Sequence, residues 1–252
     1  MRFLLIILVS LSLVFSSAYA QVSIINDQRY VNEDDGVLHV VGEIENNTPV
    51  PLNQIVITAS FYDIHDKILG TMTADSILET IMPGKKSPFD LTYTNNIIPQ
   101  IYRYSLDMKY KPAEHKTESL EILSSNAKRD MLDNFIISGT ITNHDQSTAN
   151  TIVVIATLYD KEGKVVATSK SYTESEYLKA GGITQFLISV LDKSQSQKAT
   201  NYSLMAESEE YTAVPEFPLG SGIILLLSVI SYVILTKRTT ITIIPFRVKN
   251  SK

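Results

Sequence analysis

The chain repeats itself. At an offset of 97, Ser23 to Phe89 lies without a gap over Leu120 to Phe186. The matches fall on punctuation: Gly42/Gly139, Asn46/Asn143, Tyr62/Tyr159, Asp63/Asp160, Gly84/Gly181 and Phe89/Phe186. One residue later in register, Tyr104-Ser105-Leu106 matches Tyr202-Ser203-Leu204. Two copies of one module explain such a match, and they restrict the fold to a unit that fits twice into the middle of the chain. The modules are expected at 21–111 and 112–206, with the boundary in the polar stretch Lys111 to Lys116.

Each module reads as β. Leu38 to Ile44 and Phe135 to Ile141 place apolar residues or Gly at every second position, the period of a strand with one buried face. Asn46-Asn47-Thr48-Pro49 and Asn143-His144-Asp145 supply turn chemistry. The β-branched runs Ile55–Tyr62 and Ile152–Tyr159 follow, each leading through an Asp-rich turn into another short strand. Further strands centre on Phe89 and Phe186, and on Tyr104 and Tyr202. No long amphipathic helix interrupts them. The expected fold is all-β, two tandem β-sandwich modules of immunoglobulin-like architecture.

The two ends read differently. Met1 to Ala20 has a single basic residue, the apolar run Phe3–Phe15 and Ala18-Tyr19-Ala20, the pattern of a cleaved signal peptide. Leu219 to Leu235 is 17 residues without a charge, enough for a short transmembrane helix. The Pro-containing acidic stretch 207–218 reads as a stalk, and 236–252 as a basic cytoplasmic tail. Charge agrees with that topology. All 27 acidic residues lie between Asp27 and Glu216, whereas Arg2, Lys237, Arg238, Arg247, Lys249 and Lys252 lie outside. The middle therefore sets 16 bases against 27 acids, a net −11, and the tail carries +5. By the positive-inside rule the tail is cytoplasmic and the acidic body lies outside. The chain is expected in the cell membrane as a single-pass protein, with the lipid bilayer as its first partner. A body this acidic is not a nucleic-acid binder.

The motifs carry two resemblances. Val40-Val41-Gly42-Glu43-Ile44-Glu45-Asn46, Phe61-Tyr62-Asp63, Pro83-Gly84 and Phe89 resemble the pattern of FxLYD-type domains. So do Ile137 to Asn143, Leu158-Tyr159-Asp160, Ala180-Gly181 and Phe186. Both copies depart at the motif's leading Phe, where Ala59 and Ala156 stand. The resemblance implies small sandwich modules of prokaryotic envelope proteins and no catalytic residues. Val214-Pro215-Glu216-Phe217-Pro218, followed by an apolar span and a basic pair, resembles the PEF-type sorting tail of archaeal surface proteins. There the tail can be cut and exchanged for another anchor. This chain runs on past the basic pair to Lys252.

Chemistry is sparse. With no cysteine there is no disulfide, thiol nucleophile, Cys-ligated zinc or iron–sulfur cluster. His39, His65, His115 and His144 show no close ligand spacing. Asp63, His65 and Asp66 are read as hairpin chemistry, like Asp160, Glu162 and Gly163, and Asp27, Glu33, Asp34 and Asp35 as a solvated acidic run. Gly181-Gly182 is a turn without phosphate-binding context. Tyr62, Tyr159, Tyr104 and Tyr202 recur in both copies, as packing residues do, while Tyr93, Tyr102 and Tyr110 sketch an aromatic strip. Asn46 and Asn201 head N-glycosylation sequons, Asn46 the better placed because it lies in a turn. No catalytic, cofactor or metal residue is assigned, and no cofactor is expected. The expected role is non-catalytic: interaction or surface structure among envelope or surface-layer proteins. The alternative is an extracytoplasmic ligand- or metal-binding accessory subunit of a membrane complex.

Overall fold

The structure, a computed structural model, describes residues 21–213. The expected signal peptide, membrane span and tail lie outside them. Among the described residues no helix is long and apolar enough to cross a membrane.

The fold is all-β and sandwich-like. In the N-terminal half, β1 (Val22–Val31), β2 (Leu38–Asn46) and β6 (Lys86–Tyr93) form one sheet in the order β1-β2-β6. The other sheet centres on β3 (Leu52–Tyr62), flanked by β4 (Ile68–Asp75) and β7 (Arg103–Pro112), with the short β5 (Thr80–Ile81) at its start. The C-terminal half pairs in the same way. β8 (Thr117–Arg129), β9 (Phe135–Asn143) and β14 (Ile183–Val190) stand against β12 (Val165–Tyr172), β11 (Val153–Tyr159) and β15 (Asn201–Glu207). The small pair β10 (Ala149–Asn150) and β13 (Tyr177–Leu178) corresponds to the start of β3 and β5.

Alternation builds the cores. Ile55, Ile57, Ala59 and Phe61 of β3 point inward with Val40, Ile44, Phe89 and Leu91. Val154, Ala156 and Leu158 of β11 do so with Ile137, Ile141, Phe186 and Ile188. Each half thus closes its own hydrophobic cluster, at the same spacing that the repeat shows in sequence.

The punctuation residues turn out to be hydrogen-bond hubs. Asn46 Nδ2 donates to the carbonyls of Val50 (2.8 Å) and Ile81 (2.9 Å), and Asn143 Nδ2 to those of Ser147 (2.8 Å) and Leu178 (3.0 Å). Oδ1 of each accepts a backbone N–H two residues on, from Thr48 and from Asp145. Gly84 and Gly181, both at positive φ, donate their N–H to the Asn46 and Asn143 carbonyls. A buried polar group is tolerated only when it is paired, and one Asn per half satisfies loop carbonyls that the sheets leave open.

Two features differ from expectation. In the first strand of each half the register corresponds at 98, since Val22 pairs with Asn46 and Leu120 with Asn143. The stretch read as the beginning of a stalk is folded: Glu207 and Tyr211 are buried, and β16 (Tyr211–Ala213) pairs antiparallel to β15 and parallel to β8. Tyr211 packs into the C-terminal core, an apolar anchor that the acidic composition around it conceals.

Candidate functional site

Alternation leaves the outer face of a sheet to solvent, yet several outward side chains are buried. Val41 and Glu43 of β2 alternate with the core residues Val40 and Ile44, and they are 0% and 1% exposed. Ile155, Thr157 and Val165 lie outside the C-terminal core and are also fully buried. The face of β1-β2-β6 approaches β12. The halves meet across a sealed seam.

A bulge shapes its polar part. Between Ile25 and Gln28 the register of β1 slips, and Asn26 takes φ 57°. Bulges re-aim side chains, and this one aims three. Asn26 Nδ2 donates to Glu43 Oε2 (3.0 Å), Asp27 Oδ2 accepts from the Tyr104 hydroxyl (2.6 Å), and Gln28 Nε2 donates to the Val165 carbonyl (2.5 Å). From the other half, the Tyr159 hydroxyl donates to Glu43 Oε1 (2.5 Å) and Lys164 Nζ to the Asp27 carbonyl (3.1 Å). Burial, then the Glu43 charge and hydrogen bond, raises the Tyr159 hydroxyl well above its ordinary pKa. Burial, then Asp27, does the same for Tyr104. Both phenols stay protonated donors.

At the far end of the seam sits Glu207, 3% exposed. Its carboxylate accepts from the backbone N–H of Glu79 (2.7 Å) and Thr80 (3.1 Å) and from Lys116 Nζ (2.8 Å), and Lys116 also donates to the Ser208 carbonyl (2.9 Å). Lys85 and Glu118 add an ion pair at 3.3 Å. Charges leave water here only because each has a partner from the other half or from the linker.

Sequence reading missed this seam, although a signal was present. At corresponding outward positions the copies differ in polarity: Val41 against Ser138, Ile155 against Thr58, Pro88 against Gln185. A repeat that is apolar on one outer face in one copy only has a neighbour there.

The expected site residues are scattered. His39 Nδ1 meets Asp90 Oδ1 at 2.9 Å and the ring stacks on Tyr30 at 4.8 Å. Burial works to lower its pKa, but the Asp90 hydrogen bond and charge outweigh it and the net shift is upward. His144 pairs with Glu121, while His65 and His115 are exposed. Asp63 and Asp160 accept the N–H groups of their own hairpins. Asp27 is spent on Tyr104, and Asp35 accepts from the Val37 N–H. Among the described residues no three His, Asp or Glu side chains converge as metal ligands.

The aromatic strip is not formed. Tyr93 packs on the core beside Phe61 (4.9 Å), on a different sheet from the exposed Tyr110, and the exposed Tyr102 lies just before β7. The sequons exchange rank. Asn46 is fully buried with its amide committed to two carbonyls, whereas Asn201 is exposed at the start of β15. The turn that made Asn46 attractive is held together by Asn46 itself. A groove of about 430 Å³ opens where the pairing of β3 with β7 slips between Asn53 and Val56, lined by Asn53, Gln54, Asp75 and Ser76 together with Ile55 and Leu78 among others.

No family model and no curated protein matches the sequence. Similar solved structures include an exo-chitosanase of Amycolatopsis orientalis (11% identity, TM-score 0.28, 76% of this chain and 26% of that one). A red sea bream transglutaminase (12%, TM-score 0.24, 79% and 31%) and a β-glucuronidase from glycoside hydrolase family 2 (9%, TM-score 0.25, 70% and 23%) are others. The chain spans about a quarter of the exo-chitosanase's length. At these TM-scores the likenesses bear on neither the fold nor the activity of this protein.

Proposed function

We propose that this chain is a non-catalytic, membrane-anchored surface protein that displays two tandem immunoglobulin-like modules as one stiff body. The seam carries the reading. Glu43 and Glu207, buried and bonded across it, make hinge motion between the modules costly, because separation would leave buried donors and acceptors to be resatisfied. A stiff pair suits spacing and presentation, with envelope or surface-layer proteins as partners. The charge-free segment 219–235, the basic tail and the leader-like N-terminus support placing the body outside the membrane.

The test is fractionation of the native protein, followed by protease treatment of intact cells. Resistance to alkaline carbonate extraction, together with cleavage of the 21–213 body from outside, is the expected result. Recovery in the soluble fraction would sink the anchored reading. Cross-linking in intact cells then asks for a reproducible neighbour; none would remove the interaction role.

The accessory-subunit reading draws on one observation, the groove beside Asn53 and Gln54. Its lining sets Asn53, Gln54, Asp75 and Ser76 beside Ile55, Val56 and Leu78, and a ligand-induced rise in melting temperature that Asn53→Leu abolishes would favour it.

A further inference from the structure

One long strand edge is bare. β7 pairs with β3 on one side, and among the described residues no strand pairs with its other side. The corresponding strand of the other half, β15, is followed by β16, which covers its end at Glu207. Burial records the difference. Leu204 and Ala206 of β15 are buried, whereas Leu106 and Met108 at the same repeat positions are only partly so, and Tyr110 is 42% exposed. The opposite face of β7 carries Ser105, Asp107, Lys109 and Lys111, all exposed. Arg103 is already engaged, since its Nε donates to Asp66 Oδ1 at 2.7 Å and its guanidinium lies over the Tyr62 ring. It is the one charge of this strand with an ion-pair partner among the described residues.

We infer that β7 pairs with β7 of a second molecule across a two-fold axis, joining the two sheets into one. The pairing holds whether or not the chain is anchored. An unpaired edge offers its N–H and C=O groups to another strand, and the side chains along it select which strand. A two-fold axis makes the pair antiparallel and self-complementary. A one-residue slip would turn the apolar face of one strand against the charged face of the other, so a residue must lie on the axis. Of the registers that overlap most of β7, centring on Leu106 sets Arg103 against Lys109, and centring on Asp107 or Lys109 sets that charge against itself. Centring on Met108 places Asp107 opposite Lys109 twice, Leu106 opposite Tyr110 twice, and Ser105 opposite Lys111. Charges meet opposite charges and apolar side chains meet apolar ones. Pro112, which has no N–H, falls at the rim opposite Tyr104. Lysine on an edge ordinarily repels a second strand; here Asp107, two residues away on the same face, gives Lys109 a partner across the axis.

Asp107 and Lys109 are exposed, so replacing them leaves the fold intact. Full-length protein in mild detergent, followed by sedimentation equilibrium, should show a monomer–dimer equilibrium. Asp107→Lys and Lys109→Asp each set like charges opposite one another twice, and each should weaken dimerisation about tenfold or more. Combining Asp107→Lys with Lys109→Asp restores opposite signs and should recover it to within about threefold. A monomer at every concentration would overturn the pairing and leave the edge to an unlike strand. Association that neither reversal weakens, or that the combined replacement fails to restore, would place the contact elsewhere and overturn it too. A second readout fixes the register. The chain has no cysteine, so Asp107→Cys protein mixed with Lys109→Cys protein and oxidised should give the mixed disulfide about fivefold or more over either like product. Yields that follow random pairing would overturn the inference.

Discussion

The Tyr159 hydroxyl donates to the carboxylate of Glu43 at 2.5 Å across 116 residues of chain, and with Asn26 it completes the bonding of a side chain 1% exposed. Tyr62 occupies the same place in the other copy and reaches only the exposed Ser105 hydroxyl, at 3.2 Å. One repeat position therefore has two very different energies. Tyr159→Phe should cost about 1–3 kcal/mol, since it leaves a buried carboxylate oxygen without its donor. Tyr62→Phe should cost about 0.5 kcal/mol or less. Urea unfolding of the two variants measures both, and equal losses would mean that the seam contributes nothing through this bond.

Asn46 and Asn143 should be equally hard to replace. Each ties two loop carbonyls and a backbone N–H in the interior, so Ala at either position should cost about 2–4 kcal/mol. Asn201→Ala should change stability by about 0.5 kcal/mol or less. Peptide mass analysis of the native protein should find Asn46 unmodified; a glycan there would contradict the buried amide.

Gly139 is confined more tightly than Gly42. A Cβ on Gly139 would sit 2.1 Å from the Ser124 carbonyl oxygen and 2.6 Å from the Phe186 ring. On Gly42 the nearest atoms are side-chain atoms of Phe89 and Asp27, at 2.8 and 2.9 Å. Backbone yields less readily than a ring, so Gly139→Ala should lose about 3 kcal/mol and Gly42→Ala about 1–2 kcal/mol. Thermal unfolding orders them, and the reverse order would refute the packing account.

His39 makes stability depend on pH. Its folded pKa is raised by Asp90 against the opposing effect of burial, so folding favours the protonated ring. The contribution is complete below the unfolded value of about 6.5 and fades as pH rises through the higher folded value. Urea midpoints between about pH 5.5 and 9 should fall across that window in the native sequence, and Asp90→Asn should flatten the fall. An unchanged slope in the variant would assign the dependence elsewhere.

Much of the fold is legible in the sequence. The alternation in Ile55–Phe61 and Ile152–Leu158 and the turns at Asp63 and Asp160 are local signals, and local physics is what a sequence states directly. Tyr211 was not legible. Three residues of β16 are too few to carry a period, and their acidic neighbours read as solvated chain. Asn46 misled for a related reason, because turn chemistry and core chemistry use the same residue type.

By itself the sequence determined the strand period, the repeat and the hubs that each copy needs, since these depend on neighbours a few residues away. Only the tertiary structure decided which outer face each copy gives up. Val41, Glu43, Ile155 and Val165 are buried while Ser138, Thr140, Thr58 and Ile68 remain at least partly exposed at the same repeat positions. That choice is made by packing between segments more than a hundred residues apart, where burial and paired charge act on surfaces that exist only after both sandwiches have formed.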